Sequence, residues 1–147
     1  MIAHTIQLAL APVFVLVAIG NIMNILSTRL GRIVDRARQL QLMYHETQGL
    51  RHDLVVVEMR AVDQRILLNS RAIHVLVMSG LSIGITVSIL FVEEVVSVPL
   101  ERVAACFFLV AVALLMWGLT LFLRETRLAA DLLRIPEDYL ERHRELE

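Results

Sequence analysis

Three long apolar stretches separated by charged segments dominate the pattern of hydrophobic and polar positions along the chain. They cover residues 6–26, 72–92 and 103–123, and none of them contains Asp, Glu, Lys or Arg. A helix rises 1.5 Å per residue, so about 20 residues cross the roughly 30 Å hydrocarbon layer of a bilayer. The pattern predicts an all-α integral membrane protein, one domain over residues 1–147, with three transmembrane helices.

The apolar residues between the first and second stretches are spaced alternately by four and three positions. On the first arm they are Leu26, Leu30, Ile33, Ala37, Leu40 and Tyr44, and on the second Val55, Met59, Val62 and Ile66. This spacing gives each of two helices one apolar seam that continues into the neighbouring transmembrane helix. Gly49 tolerates the left-handed conformation in which many helices end, so we expect the turn there. Residues 27–71 are therefore predicted to form a long antiparallel helical hairpin, packed as a coiled coil.

The positively charged residues are all arginines, and they lie almost entirely on one side of the predicted topology. Eight lie in residues 27–71 and five in the tail 124–147, whereas Arg102 alone lies between the second and third stretches. Because arginine is retained on the cytoplasmic side, we expect a cytoplasmic hairpin and C-terminus, with the N-terminus outside. The arginines behind the first stretch favour an uncleaved anchor, since a signal peptide carries positive charge in front.

Composition strengthens the membrane prediction and weighs against several functions. Hydrophobic residues make up 57% of the chain and the mean hydropathy is +0.68, more apolar surface than one soluble core hides. The net charge of −1 gives no general attraction to nucleic acid. No Ser-His-Asp arrangement, phosphate-binding glycine loop or metal-ligand spacing is present, so we expect no enzyme activity, no cofactor and no metal site.

A polar stripe follows one face of the first apolar stretch. Its members, at positions i, i+3 and i+7, are Asn21, Asn24 and Thr28. Amides in a hydrocarbon layer need partners, and neighbouring membrane helices supply hydrogen bonds of about 0.6 kcal/mol on average. A second interpretation is a hydrated pore in which the amides replace water around an ion or small solute. The stripe thus predicts either an interface between helices or the wall of a channel.

Three arginines follow the polar stripe. Arg29, Arg32 and Arg36 lie at i, i+3 and i+7, and Asp35 is placed to reach Arg32 or Arg38. In one interpretation the arginines anchor the helix to anionic lipid headgroups, at about 1 kcal/mol each. In the other they form a ring around a cytoplasmic vestibule of an oligomer, with Asp35 holding the guanidinium groups.

The second stretch carries small residues at four-residue intervals, Gly80, Gly84 and Ser88. Small side chains let helix backbones approach closely, so this face is predicted to pack tightly, either within one subunit or between two. In the third stretch we expect Trp117 to pack against a neighbouring helix. Cys106, the only cysteine, is expected to be a small apolar core residue.

The predicted hairpin leaves apolar surface uncovered, because two helices bury only one seam on each arm. The apolar residues beside the seams are Val34, Leu54, Val56, Val57, Leu67 and Leu68. Several hairpins assembled into a bundle would cover them, as would residues 128–135 or an unidentified membrane-protein partner. We therefore expect a non-catalytic homo-oligomer that serves as a scaffold or accessory subunit. The alternative is a channel for ions or small solutes.

Four segments of the chain have a distinctive sequence: residues 11–14, 24–38, 65–73 and 122–125, of which the arginine-rich 24–38 is the most specific. Together they resemble a bacterial membrane-protein family catalogued as domain of unknown function 2721, over nearly the whole chain. The resemblance implies a small multi-pass protein of the bacterial inner membrane, and it implies no particular reaction. Gly31 stands where that pattern leads us to expect alanine, a departure that loosens the helix by about 1 kcal/mol.

Overall fold

The computed structural model describes residues 2–96 and 98–132, and every regular element within them is a helix. The helices are α1 (Ile2–Glu46), α2 (Leu50–Val96) and α3 (Glu101–Leu132). Each of them is long and apolar enough to cross a membrane. The prediction of an all-α chain with three helices able to span a membrane is therefore confirmed.

The first two helices extend far beyond the apolar stretches that they contain. α1 runs without a break from the first stretch through the arginines to Glu46, although Pro12 lies within it. A proline is tolerated in membrane helices where neighbouring groups satisfy the backbone that it frees. α2 joins the second arm to the second stretch in the same way. Each helix is one continuous element that carries both an apolar span and a charged arm.

A short turn joins α1 to α2. Gly49 has a φ of 63°, the left-handed conformation predicted for it. It lies three residues after the end of α1, and its carbonyl accepts hydrogen bonds from the amides of His52 and Asp53. The Thr47 hydroxyl donates to the carbonyl of Met43, 2.8 Å away in the last turn of α1. The glycine therefore begins α2 and is not the residue directly behind α1.

Buried residues repeat every seven positions on all three helices. They are Ile19, Leu26, Ile33 and Leu40 in α1, Val55, Val62, Asn69, Leu76 and Ile83 in α2, and Ala104, Ala111, Gly118 and Glu125 in α3. Such a repeat keeps one seam turned to a partner helix along its length. α2 carries a second seam, Ala72, Ser79 and Thr86. It packs against both other helices, which barely touch each other, so α2 is the central helix.

Small residues bring α2 and α3 close together. The Ser79 hydroxyl donates a 2.7 Å hydrogen bond to the backbone carbonyl of Ala111 across the interface. A Cβ atom at Gly118 would lie 2.9 Å from both Cγ and Cδ2 of Leu76, which is fully buried. Because side-chain carbons do not approach so closely, this crossing needs a glycine.

The small-residue stripe predicted on α2 lies beside this interface. A Cβ atom at Gly80 would lie 3.5 Å from Cδ1 of Leu16, so this glycine packs against α1. Gly84 would have nothing within 4 Å of its Cβ, and Ser88 is exposed with its hydroxyl donating to the carbonyl of Gly84. Within one chain, only the first of the three residues packs closely.

Two residues of α3, Cys106 and Trp117, differ from expectation. Cys106 is exposed and is not a core residue, because the face that packs on α2 carries Ala104 and Ala111. Trp117 is 60% exposed, so no described helix of the same chain covers it. The predicted tail begins as helix, since α3 continues to Leu132, and residues 133–147 lie outside the described residues.

We expect Gly118→Ala to lower the free energy of unfolding by about 1–2 kcal/mol, because the new methyl group overpacks the buried Leu76. Gly84→Ala is the matched control, since the same methyl group meets open space and gains up to about 1 kcal/mol of helix propensity. The measurement is unfolding of both purified variants in the same detergent. Equal stabilities, or a larger loss at Gly84, would contradict this packing.

Candidate functional site

A fully buried carboxylate lies just beyond the end of the third apolar stretch. Glu125 has no exposed surface, although it follows that stretch by only two residues. It takes the next heptad position after Ala104, Ala111 and Gly118, so the periodicity of α3 turns it toward the other helices. A charged carboxylate is costly to bury unless opposite charges and hydrogen bonds surround it. The effect of Glu125 on the free energy of folding therefore depends on its neighbours.

Two arginines from two different helices pair with Glu125. Nη2 of Arg29, on α1, lies 2.8 Å from its Oε2, and Nε of Arg65, on α2, donates to its Oε1 at 3.1 Å. The Arg29 contact is an ion pair that lacks the alignment of a hydrogen bond. The Arg65 contact is an ion pair and also a hydrogen bond. The arginine side chains are only 29% and 22% exposed. Glu125 thus ties all three helices together at one point.

Arg29 makes two further contacts with α3. Its Nη1 donates to the hydroxyl of Thr126 at 3.3 Å, and its guanidinium carbon lies 5.2 Å from the centre of the Phe122 ring. A guanidinium group over an aromatic face gains about 0.5–2 kcal/mol, more as water is excluded. The Thr126 hydroxyl in turn donates to the carbonyl of Phe122. Arg29 is therefore a structural part of the helix junction.

The heptads explain why these groups meet. Arg65 precedes Ala72 by seven residues and so extends the second seam of α2. In the other seam Asn69 stands between Val62 and Leu76, fully buried, and neither its amide oxygen nor its nitrogen hydrogen-bonds to a described residue. We call these three charged side chains, together with the buried amide four residues along α2 from Arg65, the polar layer of the junction.

The predicted polar stripe takes no part in this layer. Asn21, Asn24 and Thr28 are all exposed, because the seam of α1 that packs on α2 runs through Leu26 on another face. The Thr28 hydroxyl donates to the carbonyl of Asn24 at 3.0 Å, which satisfies it within its own helix. The side-chain amides of both asparagines remain outside the core of the chain.

The predicted arginine cluster divides into residues with different surroundings. Arg36 pairs with Glu58 of α2 at 2.6 Å, with both side chains more than 40% exposed, and also donates to Gln39. Arg32 is exposed and has no ion-pair or hydrogen-bond partner in the part of the chain that the structure describes. Asp35 is exposed as well, and within the same residues it pairs with neither of the arginines predicted to hold it.

A cleft between α1 and α2 brings four arginines together. Its volume is about 400 Å³, and it is lined by Arg29, Arg32, Ile33, Arg36, Val62 and Arg65. Three of these arginines come from the predicted cluster, while Arg65 comes from the opposite arm. This cleft and the polar layer beside it are the candidate site.

Two members of the junction are not found by reasoning from the sequence. The charge pattern counts Glu125 with the tail and Arg65 with the arginines that mark topology, although both lie in segments that carry the family resemblance, 65–73 and 122–125. A signal for Glu125 exists: Ala104, Ala111 and Gly118 form a small-residue heptad whose next member is Glu125. Continuing that count beyond the apolar stretch places a carboxylate in a packed seam, where arginines are its natural partners.

Comparison with known proteins gives one result. A family model described as Protein of unknown function (DUF2721) matches residues 9–135. Neither the curated proteins nor the solved structures contain a significant match. The match includes all four arginines of the cleft and Glu125.

We expect Glu125→Ala to lower the free energy of unfolding by about 3 kcal/mol, because it leaves two partly buried arginines without their counter-charge. The matched control is Glu58→Ala, which also removes a carboxylate from an arginine but at an exposed pair, where the loss should be about 0–1 kcal/mol. Both variants are measured by unfolding in the same detergent. If the two losses are equal, Glu125 does not hold the junction.

Proposed function

Since this chain belongs to the family of proteins of unknown function DUF2721, we propose its function from its own geometry: a non-catalytic homo-oligomeric membrane scaffold or accessory subunit. In this proposal the outer face of α1 is the surface through which copies assemble. The observation that carries it is the pair of asparagine amides that one chain leaves uncovered within a predicted span.

The uncovered amides favour a protein neighbour over lipid. Asn21 and Asn24 lie in the first apolar stretch and are exposed in the single chain. Hydrocarbon offers no hydrogen-bond partner, so amides facing lipid are disfavoured, whereas a second helix with the same amides satisfies both. A copy of α1 presents these groups at the same depth, which a helix of arbitrary sequence does not.

The arms supply a second reason for assembly. Four large apolar side chains near the turn are more than 60% exposed: Leu42, Leu50, Leu54 and Val57. They lie outside the apolar stretches, where lipid does not cover them and water makes their exposure costly. In the proposed bundle, arms of neighbouring copies pack on these residues.

The proposed topology places the arms in the cytoplasm. α1 continues for 20 residues beyond residue 26, so the hairpin formed with α2 would project roughly 30 Å from the bilayer. The arginine distribution supports a cytoplasmic hairpin and C-terminus with an outside N-terminus. We place the protein in a bacterial inner membrane on the basis of the family resemblance.

A channel is the second candidate, and the direction of the polar stripe is the observation that favours it. Because Asn21, Asn24 and Thr28 face away from the core of their own chain, an oligomer can turn them to a shared axis. Leu26 and Leu76 are buried between the helices of a single copy, so a conducting path would run between copies. Flux from liposomes that is abolished by Asn24→Leu would select the channel over the scaffold.

We expect the double variant Asn21→Leu and Asn24→Leu to shift the protein from oligomer to a smaller species, because it removes the amides that pair between copies. The measurement is native mass spectrometry in a mild detergent across a range of protein concentrations. The control is Thr120→Leu, which replaces an exposed polar residue of the third stretch whose hydroxyl already donates to the carbonyl of Trp117.

Two results would contradict the proposal. A monomeric wild-type protein at all concentrations excludes a homo-oligomeric scaffold. An unchanged oligomer in the double asparagine variant shows that copies assemble through another face.

A further inference from the structure

We propose that the arginine cleft between α1 and α2 binds a phosphate group, supplied by the headgroup of an anionic phospholipid. The cleft has a volume of about 400 Å³ and is lined by Arg29, Arg32, Ile33, Arg36, Val62 and Arg65. Four arginines line this one cavity, and guanidinium groups are donors that proteins use for phosphate, since each can bind two oxygens in its plane.

The ion pairs of the cleft do not balance its four arginines. Glu125 neutralises one charge of the pair Arg29 and Arg65, and Glu58 neutralises Arg36. Asp35, the other nearby acid on α1, is exposed and forms no ion pair with a described residue. Two positive charges are therefore in excess among the four cleft arginines and the two carboxylates that pair with them.

Hydrogen-bond donors also remain for a ligand. Arg32 has no partner in the described residues, so all five of its N–H donors are available. The hydrogen bond to Glu125 engages only Nε of Arg65. Because Glu125 and Glu58 hold three of the arginines in place, the cleft is organised before a ligand arrives, which lowers the entropy cost of binding.

The position of the cleft selects a lipid as the source of the phosphate. Arg29 follows the end of the first apolar stretch by three residues, and Arg36 by ten, which correspond to about 5 Å and 15 Å along a helix. The headgroup layer of a bilayer begins at that boundary and is several ångströms thick. The phosphate of a membrane phospholipid therefore lies at the level of the end of the cleft at Arg29, while Arg36 lies beyond the headgroup layer.

The excess of two charges predicts a preference among lipids. A lipid with two phosphates, such as a diphosphatidylglycerol, neutralises both charges, whereas a lipid with one phosphate and one net charge neutralises half. Zwitterionic phosphatidylcholine carries a phosphate but no net charge, so it gains least from the cleft. Basic pockets between membrane helices bind the first class for the same electrostatic reason.

This inference rests on the proposed membrane placement but not on the oligomer, because a single chain supplies every residue of the cleft. The test is native mass spectrometry of the detergent-solubilised protein titrated with diphosphatidylglycerol, phosphatidylglycerol or phosphatidylcholine. Bound lipid per chain and the number of chains are read from the same spectra, so failure of lipid binding is distinguishable from failure of assembly.

The informative variant is Arg32→Gln, because Arg32 lines the cleft and forms no ion pair or hydrogen bond within the described residues. We expect it to weaken binding of diphosphatidylglycerol on the order of fivefold, the factor for loss of one basic contact. Arg71→Gln is the control, since Arg71 is an exposed arginine next to the second apolar stretch that does not line the cleft. It should leave the affinity unchanged.

Adding inorganic phosphate distinguishes the two sources of phosphate. We expect millimolar phosphate not to displace the lipid, and displacement at that concentration would assign the cleft to a soluble phosphate compound and overturn the lipid assignment. Equal weakening by the variants at Arg32 and Arg71 would show general attraction to basic surface and overturn the site. Binding of phosphatidylcholine as tight as that of diphosphatidylglycerol would also overturn the site.

Discussion

The structure depends on one buried carboxylate. Glu125 lies in the seam of α3 with no exposed surface, and only its pairs with Arg29 and Arg65 make that position tolerable. Because those arginines come from α1 and α2, one side chain fixes the depth and rotation of three helices at the boundary between apolar span and charged arm. The rest of the α2–α3 contact is built from Ala104, Ala111 and Gly118. Each of these small residues meets its partner only when the two helices keep this relative depth and rotation.

The same constraint divides the arginines into two kinds. Arg29 and Arg65 serve the fold through Glu125, and in doing so they line the cleft that they share with Arg32 and Arg36. The ion triad therefore holds part of the proposed phosphate site in place. The side chains of Asn21 and Asn24 take no part in this junction and stay exposed in the single chain.

Much of the fold can be predicted from the sequence, because uncharged stretches of about 20 residues and a heptad repeat are compatible with few structures. The three spans and the left-handed Gly49 follow from local pattern alone. The site is different: burial of Glu125 depends on how three helices meet, and a charged residue behind an apolar stretch ordinarily indicates a solvated end. The choice of packing face also depends on how the helices meet. Gly84 and Ser88 have the spacing of a packing face, yet Gly118 makes the close contact. In the proposed oligomer, the faces of α1 that contact other copies depend on assembly, which one sequence does not specify.

The most direct test of the helix junction is a double-mutant cycle on the free energy of unfolding, with Arg65→Met, Glu125→Gln and the double variant in one detergent. If the buried pair holds the helices together, either single change removes most of what the pair contributes to the free energy of unfolding. The double variant should then be more stable than the sum of the single losses predicts, by about 2 kcal/mol. Losses that add to within about 0.5 kcal/mol would mean that the two residues are independent, and would contradict the account.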